Sequence, residues 1–297
     1  MYYNMQVHSA YDLLNSTIKY ESLFSKLAKD NQKSVVIVDP NMYGAIKAYK
    51  ASKKAGVNLI QGLEVNLGYG IGLLKFNLLC KTEKMFYKLL EISTKFMNGE
   101  EWTVEDFSND MIDYREDFVL IVVDELRDSM EFSYLKNLLS KYDFYFGFNE
   151  SFQVGLYSDY DNIVYTKPSF YLNKEHYQQV IVSRAIRDNK KLNIQELTTI
   201  SGEDFVREKK DFEEILALGD EELYAIFEKS FANQKLIIDS CKYELNFAGY
   251  HLPKYIYGEK EEIFEKLSSK EYLHYLVQKG VKEKLIGKDL YQYQKRY

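Results

Sequence analysis

Three stretches near the amino terminus each set a chemically capable side chain after an apolar run. Met5-Gln6-Val7-His8-Ser9 reads as a strand, followed by a tight turn through Asn15. Val35-Val36-Ile37-Val38-Asp39-Pro40 is a buried strand opening into a helix. Leu59-Ile60-Gln61-Gly62-Leu63-Glu64-Val65 is a third strand with a carboxylate at its tip. One imidazole and two carboxylates at three strand ends are groups that ligate metal ions. The same groups serve equally as hydrogen-bonding or capping residues. Asp39, before Pro40 and a helix start, lies in a natural N-cap region.

The elements that must position these groups alternate between strand and helix. Apolar Leu23, Phe24, Leu27 and Ala28 recur at helical spacing over residues 20–30. Strands are expected at 2–7, 34–38, 58–62, 73–80, 118–123, 143–148 and 162–166. Helices are expected at 41–55 (stopped by Gly56), 82–97 (capped by Thr82), 132–141 and 173–188. Such alternation argues for a mainly parallel sheet with helices outside, either an open doubly wound sheet or a closed barrel. In a barrel, functional groups collect at the carboxyl ends of the strands, where His8, Asp39 and Glu64 fall. Gly68-Tyr69-Gly70-Ile71-Gly72 lies between two strands and opens no helix, so it reads as a hairpin rather than a phosphate loop. Beyond about residue 200 the pattern turns helical, at 220–243, 259–267 and 269–285.

In order and spacing, the first three motifs resemble those of the PHP (polymerase and histidinol phosphatase) domain of the bacterial DNA polymerase III α subunit. In that family the first motif is usually His-x-His-Ser, the second Thr-Asp-His-Gly and the third Gly-x-Glu-Val. Farther on, Cys241-Lys242-Tyr243-Glu244-Leu245-Asn246-Phe247 and His251-Leu252-Pro253-Lys254-Tyr255 resemble the segment joining that domain to the polymerase palm. Glu271-Tyr272-Leu273 through Gly280-Val281 resembles its next helix. The resemblance implies a distorted seven-stranded (β/α) barrel over residues 1–200, then a helical linker over 201–297 leading toward the palm. No acidic palm residues are found, so the chain reads as an amino-terminal fragment.

The resemblance also implies a site of several ions, which hold phosphate and activate water. Here His8, Asp39 and Glu64 match expected ligands, as a vestigial set. Gln6 stands where the first motif has a His, and Pro40 falls where the second should carry one. Lys75 stands at the His of the fourth motif, and an ammonium repels an ion. In the last motif Pro168 replaces an Asp and Phe170 a His. His176, His251 and His274 lie away from the motifs. The expectation is therefore no cofactor, or at most one weakly held divalent metal ion, with Lys75 paired to Glu64 or Asp39 in place of an ion.

The chain has 297 residues, 46% hydrophobic and 28% charged, with a net charge of −6. That size allows a sizeable core, and that charge gives no global attraction to nucleic acid. Lys47-Lys50-Lys53-Lys54, Lys209-Lys210 and Lys279-Lys282-Lys284-Lys288 could form local basic patches but also look like solvated helix faces. Cys80 and Cys241, the only cysteines, read as reduced core residues. No apolar stretch reaches transmembrane length and no signal peptide is visible, so a cytoplasmic protein without membrane partners is expected.

Three functional readings follow. The first is a structural domain of a replicative DNA-directed DNA polymerase, bracing the palm and thumb of its own chain and meeting DNA and replisome subunits through it. The second is an active metal-dependent phosphoesterase, a 3′–5′ exonuclease or pyrophosphatase. The third is a free-standing histidinol-phosphatase-like enzyme, against which the linker signature speaks.

Overall fold

The computed structural model describes residues 2–70, 72–123, 129–149, 159–193, 202–217, 221–246, 267–288 and 290–293. The chain divides into two compact units, Met1–Leu245 and Asn246–Tyr297.

The first unit is built on one sheet in the order β1 (Ser34–Ile37), β2 (Asn58–Tyr69), β3 (Gly72–Cys80), β4 (Phe118–Val122), β5 (Phe144–Phe148) and β6 (Ile163–Tyr165). β1–β2, β4–β5 and β5–β6 pair in parallel, as the alternation requires, but β2–β3 and β3–β4 are antiparallel. The expected 58–62 strand continues to Tyr69 because Leu63, Val65 and Leu67 are buried on every second residue. It then folds back through Gly70, whose φ of +56° suits a tight turn. This long hairpin sets Glu64 opposite Asn77 and Asn66 opposite Lys75.

Among the described residues the sheet has six strands, not seven. The amino-terminal segment lies beside β1 without forming a regular ladder. Val36 N–H donates to the Asn4 carbonyl at 3.0 Å, and Val7 N–H donates to the Val36 carbonyl at 3.1 Å. That spacing contains one residue too many for a continuous parallel ladder, so the segment bulges at Met5–Gln6. Val7 then forms single bridges to Ile37 on one side and Ser169 on the other.

Two apolar layers follow from strand alternation. Inside the curled sheet, Met5, Val36, Val38, Ile60, Leu79, Val119, Ile121 and Val164 pack together. Gly62 belongs to this layer: a Cβ there would sit 2.7 Å from Val38 Cγ1 and 2.8 Å from Leu79 Cδ2. Outside, the sheet packs on α1 (Tyr20–Lys29), α2 (Ala45–Ala55), α3 (Glu83–Met97), α4 (Val104–Asp110) and α5 (Ser129–Leu139). Met85 N–H donates to Thr82 Oγ1 at the start of α3, and Gly56 ends α2 at a φ of +68°. The chain continues through α6 (Tyr177–Arg187), α7 (Lys209–Ala217) and α8 (Glu221–Ser240). Within the second unit, α9 (Ser269–Lys284) starts at a capping box of Ser268 and Glu271. The His251–Tyr255 motif and residues 259–266 of the expected 259–267 helix lie outside the described residues. Among the described residues no helix is long and apolar enough to cross a membrane.

The gap between β6 and the amino-terminal segment is spanned by a side chain rather than a ladder. Gln234 of α8, wholly buried, accepts from Tyr3 N–H at 3.2 Å and donates to the Tyr165 carbonyl at 2.9 Å. Ser230, one turn earlier, accepts from Tyr165 N–H at 2.6 Å. Ile237 and Ile238 of the same helix join the inner apolar layer. Gln234→Leu keeps the volume but leaves a buried donor and acceptor unpaired. It should lower unfolding stability by about 2–4 kcal/mol, read as a reduced urea midpoint with an unchanged m-value. An unchanged midpoint would show that the seam does not depend on this amide.

Candidate functional site

The segments that follow β1 and β6 converge with the amino-terminal segment and with the middle of the β2–β3 hairpin, where Glu64 stands rather than at a strand tip, on a polar cluster. His8 is 1% exposed. Its Nδ1 lies 3.2 Å from Asp12 Oδ2 and its Nε2 3.5 Å from Glu64 Oε2. Both are ion-pair distances, although neither contact has the angles of a good hydrogen bond. Burial is the largest single influence on the imidazole and opposes its charge. The contact with Asp12 and the charges of Glu64, Asp12 and Asp39 together outweigh burial, so the His8 pKa is raised.

Glu64 sits at a convergence of donors. Lys75 Nζ lies 3.4 Å from Oε1, within the salt-bridge reach expected of it, and Gln6 Nε2 donates to Oε2 at 3.4 Å. The Glu64 side chain is 10% exposed and that of Lys75 43%. Asp39 is spoken for differently. Ser9 N–H donates to its Oδ1 at 2.6 Å and Ser9 Oγ to its Oδ2 at 2.5 Å, with Tyr20 Oη 3.4 Å away. Burial raises the Asp39 pKa, and the Ser9 hydrogen bonds work against that rise. Lys75 therefore meets Glu64, while Asp39 is held by hydroxyl and backbone donors.

Phe170 is packed against both His8 and Arg184. Its ring stacks on the imidazole at 4.6 Å and 23°, and the Arg184 guanidinium lies 4.4 Å from its centroid. Arg184 Nε donates to Asn15 Oδ1 at 2.9 Å, and Asn15 Nδ2 donates to Asp12 Oδ2 at 2.6 Å. His8, Asp12, Asn15, Arg184 and Phe170 thus form a closed ring of contacts. The Asp12 carboxyl is held below its ordinary value: burial pushes it up, but His8, Asn15 and Arg184 together prevail. Pro168, which has no N–H to offer, precedes Ser169, whose backbone bonds both Gln6 and His8.

Sequence reasoning placed Gln6, His8, Asp39, Glu64, Lys75 and Phe170 at this end of the sheet but did not single out Asp12, Asn15, Asn77 or Arg184. Asp12 carried a signal, four residues from His8 across a tight turn. Asn77 is fully buried, with no hydrogen-bond partner for either amide atom among the described residues. Its place opposite Glu64 could be known only from the hairpin register. His274 meets Gln278 on α9 of the second unit, and His176 directly precedes α6; His251 lies outside the described residues. Among the described residues, no group of three or more His, Cys, Asp or Glu is arranged to hold a metal ion.

The raised His8 pKa has a definite sign. Stability from His8 is fully present below its unfolded-state value, about 6.5, and is lost as pH rises through the higher folded-state value. Asp12 acts oppositely: its contribution is present above its unfolded value and is lost as pH falls through the depressed one. Unfolding free energy should therefore fall as pH rises through the folded-state His8 value, and fall less in His8→Gln. Parallel urea curves for the two proteins across that window check this; identical pH dependence would contradict it.

Comparison with known proteins places this geometry in context. Residues 4–129 match the family model described as the PHP domain. The DNA polymerase III subunit alpha of Staphylococcus epidermidis is 24% identical over 274 residues, covering 91% of this chain and 23% of that protein. The protein of the same name from Staphylococcus aureus is 25% identical over 293 residues, covering 97% and 25%. The Bacillus subtilis one is 38% identical over 95 residues, covering 31% and 8%. The chain spans about a quarter of the length of the first two relatives. A solved structure from Bifidobacterium adolescentis, provisionally described as a metal-dependent phosphoesterase, aligns with a TM-score of 0.36 at 10% identity, over 74% of this chain and 96% of that one. Residues 4–129 are a PHP domain, matched along its length by proteins named DNA polymerase III subunit alpha.

Proposed function

We propose that this chain acts as the amino-terminal structural domain of a replicative polymerase α subunit. In this reading its barrel mouth is stabilised by internal cations and an aromatic ring in place of metal ions. The observation that carries the reading is the Lys75 ammonium on Glu64, together with the Phe170 ring packed between a buried imidazole and a guanidinium. A centre of several ions needs carboxylate and imidazole lone pairs turned toward common points. Here the Asp39 oxygens take the Ser9 donors, and those of Glu64 face Gln6, His8 and Lys75. These residues therefore fit a multi-ion centre poorly.

The reading extends to architecture and partners. The bulged segment 2–7 would serve as the seventh stave of the barrel, and residues 201–297 would lead toward a palm. The partners would be the palm and thumb of the same polypeptide, with DNA and replisome subunits met through them. A soluble, cytoplasmic setting accords with that role. The alternative is a metal-dependent exonuclease or pyrophosphatase, for which His8, Asp39 and Glu64 would be the candidate ligands.

Three measurements test these readings. Elemental analysis after dialysis should find less than one Mn or Zn per chain, and no Mn-dependent release of nucleotides from a 3′ end; two or more ions per chain, or such release, would favour the phosphoesterase. Lys75→Met should cost about 1 kcal/mol, because the ammonium is partly open to solvent and its attraction is screened. A gain in stability would mean that the pair does not hold the mouth together.

A further inference from the structure

We infer that the groove between α1 and α2 docks an acidic, amphipathic helical segment of a partner protein. The groove has a volume of about 700 Å³, with Phe24 and Ala28 of α1 and Ala51 and Ala55 of α2 on its floor. The three alanines keep the two helices' side chains short there, leaving room for larger apolar side chains to enter between them. The rim is basic. Lys47, Lys50 and Lys54 follow one edge of α2 at spacings of three and four, and Lys29 stands on α1. Among the described residues Glu21 is the only acid lining the groove, and it lies 3.7 Å from Lys47.

This local excess of positive charge occurs on a chain whose net charge is −6. The first turn of α2 carries no acid either. An apolar trough edged by one sign of charge is complementary to a helix with an apolar stripe flanked by carboxylates. Nucleic acid fits less well. Phe24 is 1% exposed, so the groove offers no aromatic face on which a base could stack. A phosphate backbone would use the lysines but not the trough.

The test uses the full chain and three fluorescent probes: a synthetic helix with leucine at alternating third and fourth positions and glutamate elsewhere, its scrambled isomer, and single-stranded poly(dT). The amphipathic helix should bind at least about tenfold more tightly than its isomer. Lys50→Glu with Lys54→Glu should weaken it at least about tenfold. Ala51→Lys adds positive charge while filling the trough, and should also weaken it. An unchanged thermal midpoint in each variant establishes that the fold is intact. Equal binding of helix and isomer, tighter binding of poly(dT), enhanced binding by Ala51→Lys, or no binding of the helix would each overturn the proposal.

Discussion

The carboxyl end of the sheet must balance buried negative charge, and much of the local structure serves that requirement. Asp12 and Glu64 lie within ion-pair distance of His8, Asp39 acts on it through its charge, and all three side chains are largely withdrawn from water. Carboxylates so placed cannot remain ionised without compensating charge or hydrogen bonds. Each finds a different solution: Asp12 has His8, Asn15 and the field of Arg184; Asp39 has Ser9; Glu64 has Gln6, His8 and Lys75. Under the proposed reading these donors do the electrostatic work that ions would do in a metalloenzyme with the same backbone.

That balance ties distant elements together. The bulge at Met5–Gln6 places Gln6 and His8 at the mouth, and Ser169 fixes their backbone from the other side. The antiparallel extension of β2 and β3 carries Glu64 and Lys75 beyond the parallel core. α6 delivers Arg184 to Asn15. At the seam, α8 supplies Gln234 where a ladder is missing. The polar mouth and the apolar interior are thus separate layers of one curled sheet, linked by the strands that cross both.

The sequence made some of this legible and hid the rest for physical reasons. Apolar runs and caps located most elements to within a few residues, because burial and end-satisfaction are local constraints. Thr103-Val104-Glu105-Asp106 carries a local helix-start signal, and α4 begins at a capping box of Thr103 and Asp106. Motif order brought Gln6, His8, Asp39, Glu64, Lys75 and Phe170 to the same end of the sheet. It could not tell whether Lys75 would meet Glu64 or Asp39, since that depends on the hairpin register. The roles of Arg184 and Gln234 were hidden more deeply. Arg184 meets Asn15 across 169 positions, and Gln234 meets Tyr3 across 231. A polar residue on an amphipathic helix reads as a solvent-facing group until the fold buries it.

The central claim is that side chains, not ions, neutralise the mouth of this sheet. A crystal structure grown in excess Mn²⁺, with anomalous data collected at the manganese edge, tests it most directly. The expected result is no anomalous peak among His8, Asp12, Asp39 and Glu64, with Lys75 Nζ against Glu64 and Phe170 stacked on His8. Two or more peaks ligated by those residues, with Lys75 swung out to solvent, would contradict the account.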